Sequence, residues 1–403
     1  MSEIALALHD PATYAQGFPH EYFRELREQG PIAHFDHPAW PDGFWAVVRH
    51  AETVRVSRES QNFRNAPHPF LEMSADDDQS GTSGLLISLD APDHQKMRML
   101  ISKGFTPKRV ADLETRIHER VEGIVSALAD RDGCDLVEDL ALWLPLHVIA
   151  DLVGVPEADR RQVFDWTEKT FGFDPAVTAE ERGEAAMAMY LYADAMCAER
   201  QDRPRDDLMS VLLHADIDGE KLTQMQIDLF FMLLQNAGSE TTRNLITTGM
   251  VELLQRPDQY ALLQEDRSRI PVAIEELLRF ATPVMQFTRT ATTDVEIGGQ
   301  TIREGERVLM VYSSANRDER SFTDPDELDV LRHPNPHVAF GAGGPHFCLG
   351  ANLARLEGRV MFDTILSRFE GMRIEGDPAS FRRVNSNLID GFATVPIGWD
   401  SIR

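Results

Sequence analysis

The apolar positions along this chain follow two registers. Over most of its length they recur every three or four residues, the spacing of an amphipathic helix, as in Arg109 to Ala129, Glu180 to Arg200 and Leu222 to Gln255. Near the N-terminus they alternate in short runs. Pro31-Ile32-Ala33-His34-Phe35 and Gly43-Phe44-Trp45-Ala46-Val47-Val48 are separated by turn residues including Asp42-Gly43, which predicts a small hairpin. A second β region is predicted from Val295 to Tyr312, punctuated by Gly298-Gly299 and Glu304-Gly305. Met73 to Gly84, with three consecutive aspartates, reads as a mobile surface loop.

The longest helical pattern is the most informative. Thr223-Gln224-Met225-Gln226 has the form of a capping box, and the pattern stops at Pro257. About 33 residues at ~1.5 Å each make a rod of roughly 50 Å. Leu229 to Leu234 is apolar on every face, which predicts burial all round. The middle of the rod breaks that character. Ala237-Gly238-Ser239-Glu240-Thr241-Thr242 places small residues, an acid and two hydroxyls where a core helix needs none of them. A helix-interior glycine costs about 1 kcal/mol relative to alanine, and a buried carboxylate costs more unless partnered. Small residues admit a flat ligand or a diatomic molecule, and an acid beside an alcohol can hold water and pass protons. The plainer reading is a polar patch facing solvent.

Composition narrows the field. The chain has 403 residues, with 40 basic against 66 acidic side chains and a net charge of −26. This balance argues against nucleic-acid and acidic-membrane binding. No apolar run reaches the ~18 residues of a membrane span, and the N-terminus lacks a signal pattern, so no membrane anchor is expected. Length alone would allow about two or three domains, but no linker, repeat or low-complexity run divides the chain, so residues 1–403 are read as one domain. Cys134, Cys197 and Cys348 are odd in number and far apart. They give no disulfide framework or paired-cysteine metal site, which fits a reducing, cytoplasmic setting.

Cys348 carries the chemistry. It lies in Phe340-Gly341-Ala342-Gly343-Gly344-Pro345-His346-Phe347-Cys348-Leu349-Gly350, and a helical pattern follows at once. A thiol at a helix N-terminus is expected to have a lowered pKa. The glycines let backbone pass close to something flat, and the set suits a haem iron held by sulfur. The plainer reading is an inert cysteine in a glycine-rich turn. Glu276 and Arg279 are three apart on one helix and can pair, although Glu-x-x-Arg alone is a weak signal. His94 and Arg98 share a helix face, Arg289 precedes the second β region, and His346 lies two residues before Cys348.

These motifs, in this order, resemble a soluble bacterial cytochrome P450 over nearly the whole chain. Three stretches resemble the actinobacterial branch that oxidises sterol side chains and methyl-branched lipids: Ala237 to Asn244, the loop ending Gly344 to Cys348, and Ser386-Asn387-Leu388-Ile389-Asp390-Gly391. The resemblance implies a mainly α fold, a helical prism with a small β region, and one haem b. It implies Cys348 as iron ligand and His94, Arg98, Ala237, Arg289, Phe340, His346 and Gly350 as haem contacts, the basic ones on the propionates. Glu240 and Thr241 would deliver protons. Leu233, Leu234, Val284, Phe287, Leu388 and Ile389 would wall the substrate, under cover of the 65–84 loop and the region around Phe171 to Phe173. Phe340 precedes Cys348 by eight residues where seven is usual, a lengthening shared by that branch. In the family Glu276–Arg279 is structural, with a third basic partner that is here either Arg332 or His337.

The implied activity is insertion of one oxygen atom from O2 into a C–H bond of a sterol, terpenoid or branched lipid near a terminal methyl. Electrons would come from a ferredoxin and its reductase, docking on Arg98, Lys103, Lys108, Arg109, Arg355 and Arg359, with the enzyme a monomer. Alternatives are a P450 acting on small aromatics or alkanes and a haem-thiolate peroxygenase.

Overall fold

Helix Gln224–Leu254 is the axis on which the computed structural model is arranged. The structure describes residues 6–71, 84–171, 176–216 and 219–403. Most of the loop expected over 73–84, and residues 172 and 173 of the expected cover, lie outside the described residues. The capping box forms as predicted: the Thr223 hydroxyl accepts from the Gln226 N–H at 3.3 Å, and Gln226 Oε1 accepts from the Thr223 N–H at 2.8 Å. The helix packs against Trp143–Val153, Arg160–Phe171, Ala179–Asp202, Ile270–Ala281 and Ala351–Arg368. Burial is not uniform around it. Phe230 and Phe231 are buried, whereas Leu233, Leu234 and Ala237 keep accessible surface because they face a cavity.

The other expected helices form with small shifts at their ends. Pro107–Ser126 starts two residues earlier than the apolar pattern because Thr106 caps it. Ala179–Asp202 opens on a second capping box, between Thr178 and Glu181.

The principal sheet has five strands in the order Ile32–His37, Trp40–Val47, Arg307–Val311, Gln286–Ala291, Phe63–Arg64. Trp40–Val47 runs parallel to Arg307–Val311, and the other pairs are antiparallel. The predicted hairpin exists, but it turns at residues 38–39. Asp42-Gly43 lies inside the second strand, opposite a register slip between Phe35 and His37. Gly43 has φ +63, and a Cβ there would lie 2.2 Å from the Phe35 carbonyl oxygen, so the glycine serves a bulge and not the turn. Val295–Ile297 and Gln300–Ile302 form a separate hairpin through Gly298-Gly299, both at positive φ.

Three cores result. The largest joins the helices. The sheet has one on each face, with Leu309 and Val311 on one side and Val308 and Met310 on the other, as strand alternation requires. Among the described residues no helix is long and apolar enough to cross a membrane.

Candidate functional site

The cysteine loop is built by close backbone contact. Gly341, Gly343 and Gly344 all have φ between +80 and +85. A Cβ on Gly344 would lie 2.3 Å from the Ser57 carbonyl oxygen, so helix His50–Arg58 presses directly on the loop. The Ser57 hydroxyl donates to the Gly343 carbonyl at 2.7 Å, and the Cys348 N–H donates to the Phe340 carbonyl at 2.9 Å, which closes the loop despite its extra residue. Phe340 stays in the cavity wall. The Arg355 guanidinium lies 4.5 Å from its ring centroid and pairs with Glu275 through two bonds of 2.7 Å.

Cys348 is accessible on the cavity wall, whereas Cys134 and Cys197 are buried elsewhere. Its thiol does not have the lowered pKa expected from the helix N-terminus. Burial pushes it up, and the Gly350 N–H, Arg98 and Arg355 pull the other way without reversing the shift. The thiol is accessible only to the cavity, and the protein atoms around that cavity desolvate it more strongly than one helix end can offset.

The four scattered basic residues converge. His94, Arg98, Arg289 and His346 all line the cavity that holds Cys348. The His94 and His346 rings lie 4.0 Å apart between centroids. Burial lowers both, His94 to about 4 and His346 further, with Arg98 and Arg289 adding to the effect. Among the described residues the buried His94 Nε2 has no hydrogen-bond partner. Arg289 is 4% exposed, and among the described residues no carboxylate forms an ion pair with it, Asp90 acting on it only at longer range. The Arg98 and Arg289 guanidinium groups, with the uncharged imidazoles of His94 and His346 beside them, are suited to acidic groups on a ligand. One thiol, glycine backbone beside it and this set of nitrogen donors fit a haem with its propionates.

The central helix brings Thr241 to the same cavity, with its hydroxyl donating to the Ala237 carbonyl at 2.8 Å. Glu240 does not line the cavity. It is buried and pairs with Arg243 one turn on, whose guanidinium also lies 3.9 Å from Glu168. Burial raises the Glu240 carboxyl to about 7, against the pull of Arg243. The acid of the acid–alcohol pair thus sits behind the alcohol, toward helix Arg160–Phe171.

Ala237, Gly350, Leu233, Leu234, Val284 and Phe287 line the cavity as expected. Leu388 and Ile389 do not. They lie behind it, where the Leu388 carbonyl accepts from the Met285 N–H at 2.8 Å and Ile389 bridges Val284. Leu86, Phe105, Ile149 and Tyr312 line the cavity and had no signal in the sequence, because each arrives from a distant segment with an ordinary core pattern; Glu357 lines it too, from the helix after the cysteine loop, where it reads as an ordinary charged position.

Glu276 and Arg279 are fully buried and joined by bonds of 2.7 and 2.8 Å. The third partner is Arg332, whose Nε lies 3.1 Å from both Glu276 oxygens. His337 bonds Glu275 instead. The expected docking patch is smaller than the sequence suggested. Arg98 turns to the cavity, Arg109 pairs with Asp206 and Arg355 with Glu275.

Comparison with known proteins agrees with this geometry. Residues 143–383 match the cytochrome P450 family. A steroid C26-monooxygenase of Rhodococcus jostii is 41% identical over 97% of this chain and 84% of that enzyme. A methyl-branched lipid omega-hydroxylase of Mycobacterium bovis is 38% identical over 94% of this chain and 90% of that one. The crystal structure of Mycobacterium marinum cytochrome P450 CYP268A2 in complex with pseudoionone superposes with a TM-score of 0.87 at 38% identity, covering 94% of each chain. The chain therefore belongs to the cytochrome P450 family. It is a haem b monooxygenase, an oxidoreductase with the mainly α P450 fold.

Proposed function

We propose that this enzyme hydroxylates a large hydrophobic molecule, a sterol, terpenoid or methyl-branched lipid, at or near a terminal methyl. The observation that carries the reading is the character of the cavity. Leu86, Phe105, Phe230, Leu234, Val284 and Phe287 give it an apolar wall, and the polar side chains Arg98, Arg289, His94 and His346 lie together apart from that wall. Burial of apolar surface yields about 25 cal/mol per Å², so such a wall favours extended hydrocarbon. The named activities of the Rhodococcus and Mycobacterium relatives support the same class.

Cys348 would hold the iron, with Phe340, Ala237 and Gly350 against the ring and His94, Arg98, Arg289 and His346 on the propionates. When bound, the haem supplies activation of O2, and thiolate ligation favours O–O cleavage. The overall reaction consumes one O2, two electrons and two protons, and yields an alcohol and water. The protein's own part is to orient the substrate methyl, exclude stray water and deliver the protons. Thr241 would hold water at the cavity wall, and Glu240 would recharge it from the Glu168 side. A ferredoxin and reductase would supply electrons, since the chain shows no flavin- or NAD-type glycine motif and no iron–sulfur cysteine cluster. We read residues 1–403 as one domain and the protein as a cytoplasmic monomer, in keeping with its acidic charge and scattered cysteines.

A panel of steroids and branched lipids should shift the haem spin state with micromolar affinity, about 8 kcal/mol. A shift with small aromatics or alkanes and with no steroid or branched lipid would overturn the substrate reading.

A further inference from the structure

The first residues of the expected cover, 65–71, are held from outside the cavity. Beyond Phe63–Arg64 they continue along the edge of strand Gln286–Ala291, where the Thr288 N–H donates to the Pro69 carbonyl at 2.8 Å and the Thr290 hydroxyl to the Ala66 carbonyl at 3.2 Å. Phe70 backs the cavity wall, its ring 6.1 Å from that of Phe287 between centroids. Carbonyls on both sides of Phe70 are gripped by side chains of the sheet. Arg307 Nη2 donates to the His68 carbonyl at 2.8 Å. His37 Nδ1 accepts from the Ala39 N–H, so its Nε2 carries the hydrogen and donates to the Leu71 carbonyl at 2.8 Å.

Arg307 is a costly residue for that task. It is 8% exposed and lies opposite Thr290 in the strand pairing. By strand alternation it shares a face with Leu309 and Val311, which pack with Trp40 on the side of the sheet away from Phe287. Among the described residues no carboxylate pairs with it, and its Nε has no hydrogen-bond partner. Burial, with Arg289 and Arg64 adding to the effect, lowers the guanidinium to about 10. A buried cation without a counter-charge is destabilising unless other groups solvate it. Here the His68 carbonyl, the Thr288 and Thr290 hydroxyls at 2.6 and 2.8 Å, and the Trp40 ring at 4.8 Å do so. Trp40 in turn stacks on His37, with centroids 4.0 Å apart. Guanidinium, indole and imidazole form one brace, and both of its ends hold carbonyls of the 65–71 segment. An apolar side chain would fill this place without the desolvation cost, which points to the held segment as the reason for the charge.

We propose that Arg307 is a positioning residue for the substrate: from the far face of the sheet, with Trp40 and His37, it fixes Phe70 against Phe287 and so sets how closely an apolar chain is gripped at that wall. None of the three touches the reacting atoms. Without the brace the 65–71 segment loosens, Phe287 loses its backing, and the terminal methyl is presented less tightly. The role rests on the reading that Phe287 walls a hydrophobic substrate, and it extends that reading to residues outside the cavity.

The test is Arg307→Met in the holoenzyme, which keeps an unbranched side chain and removes the donors, beside Arg307→Lys and Phe70→Ala. All three should keep the absorption band of the reduced carbon monoxide complex. With a steroid or branched lipid that shifts the wild-type spin state, Arg307→Met should raise the dissociation constant roughly tenfold and move part of the hydroxylation away from the terminal methyl. Phe70→Ala should do the same, and the double variant should be no worse than either single one. Arg307→Lys, which keeps the charge and a donor, should recover part of the loss. Amide exchange in Arg307→Met should quicken over residues 65–71 and at Thr288 and stay unchanged on the central helix, a pattern that general destabilisation would not give. Unchanged affinity and product position in Arg307→Met, or additive effects in the double variant, would overturn the proposal. If Arg307→Met fails to hold haem, the other two decide: wild-type affinity and product position in both Arg307→Lys and Phe70→Ala overturn it. If no steroid or branched lipid shifts the wild type, the substrate reading fails, and amide exchange then decides the role of Arg307: an unchanged rate at Thr288 in Arg307→Met overturns it.

Discussion

Thr241 has one hydroxyl and two demands on it. Its O–H donates to the Ala237 carbonyl, so the side chain is fixed and its lone pairs are left for the cavity. Thr241→Ala removes that hydroxyl and leaves the apolar wall in place. Haem and substrate binding should persist while coupled product formation falls ~10²–10⁴-fold, with peroxide accounting for the lost NAD(P)H. Unchanged coupling would contradict the role given to Thr241. Glu240 behind it is raised by burial to about 7, with Arg243 as the restraining charge. If Glu240 acts as its protonated form, turnover should fall as pH rises through that value. Arg243→Gln removes the restraint, raises the carboxyl further and should move this alkaline fall to higher pH. A limb that stays in place would separate Glu240 from proton delivery.

At the scale of elements, the carboxylates of helix Ile270–Ala281 join three segments that meet at the cysteine loop. Glu276 accepts from Arg279, Arg332, Asn335 and the Asp329 N–H, while Arg279 also donates to the carbonyls of Asn316, Pro325 and Glu327. Glu276→Gln would leave the buried Arg279 and the half-buried Arg332 without their counter-charge. Urea denaturation should show a loss of ~3–5 kcal/mol, and a loss under about 1 kcal/mol would refute the account of this network. Its neighbour Glu275 predicts the acid limit. Burial opposes ionisation there, but His337 and Arg355 hold the carboxyl at about 2 against an ordinary 4.5. A depressed folded-state value contributes stability that is present above 4.5 and disappears as pH falls toward 2. Glu275→Gln should therefore flatten the stability profile in that window and leave the profile between pH 6 and 8 unchanged in slope. A wild-type acid slope retained in the variant would place the linkage elsewhere.

Across the whole molecule, what the sequence disclosed depended on whether the signal was local. The central helix was legible to within two residues because its capping box and its stop at Pro257 are written in adjacent positions. The hairpin was legible but its turn was not. Asp42-Gly43 is a strong turn signal, yet here the glycine is used by a bulge against Phe35. Chain order and resemblance pointed to His94, Arg98, Arg289 and His346 as one set, and the four line one cavity, whereas each alone looks like a surface base. The choice between Arg332 and His337 was not legible, because it depends on which of two adjacent glutamates each meets after folding. Leu388 and Ile389 are apolar and near the site, but their segment meets Val284-Met285 through its backbone, by one hydrogen bond and an isolated bridge, and they do not line the cavity. Tyr312 faces the cavity only because remote helices and strands pack as they do.

The central claim is that this fold inserts one atom of O2 into a terminal C–H bond of a hydrophobic molecule. It is tested most directly by turnover under 18O-labelled dioxygen with a ferredoxin, its reductase and NAD(P)H, using a sterol or methyl-branched lipid that shifts the spin state. The account predicts a primary alcohol at a terminal methyl carrying one labelled oxygen, formed by the wild type and not by Cys348→Ala. An alcohol without the label, oxidation confined to small aromatics, or product formed equally well by Cys348→Ala would contradict it.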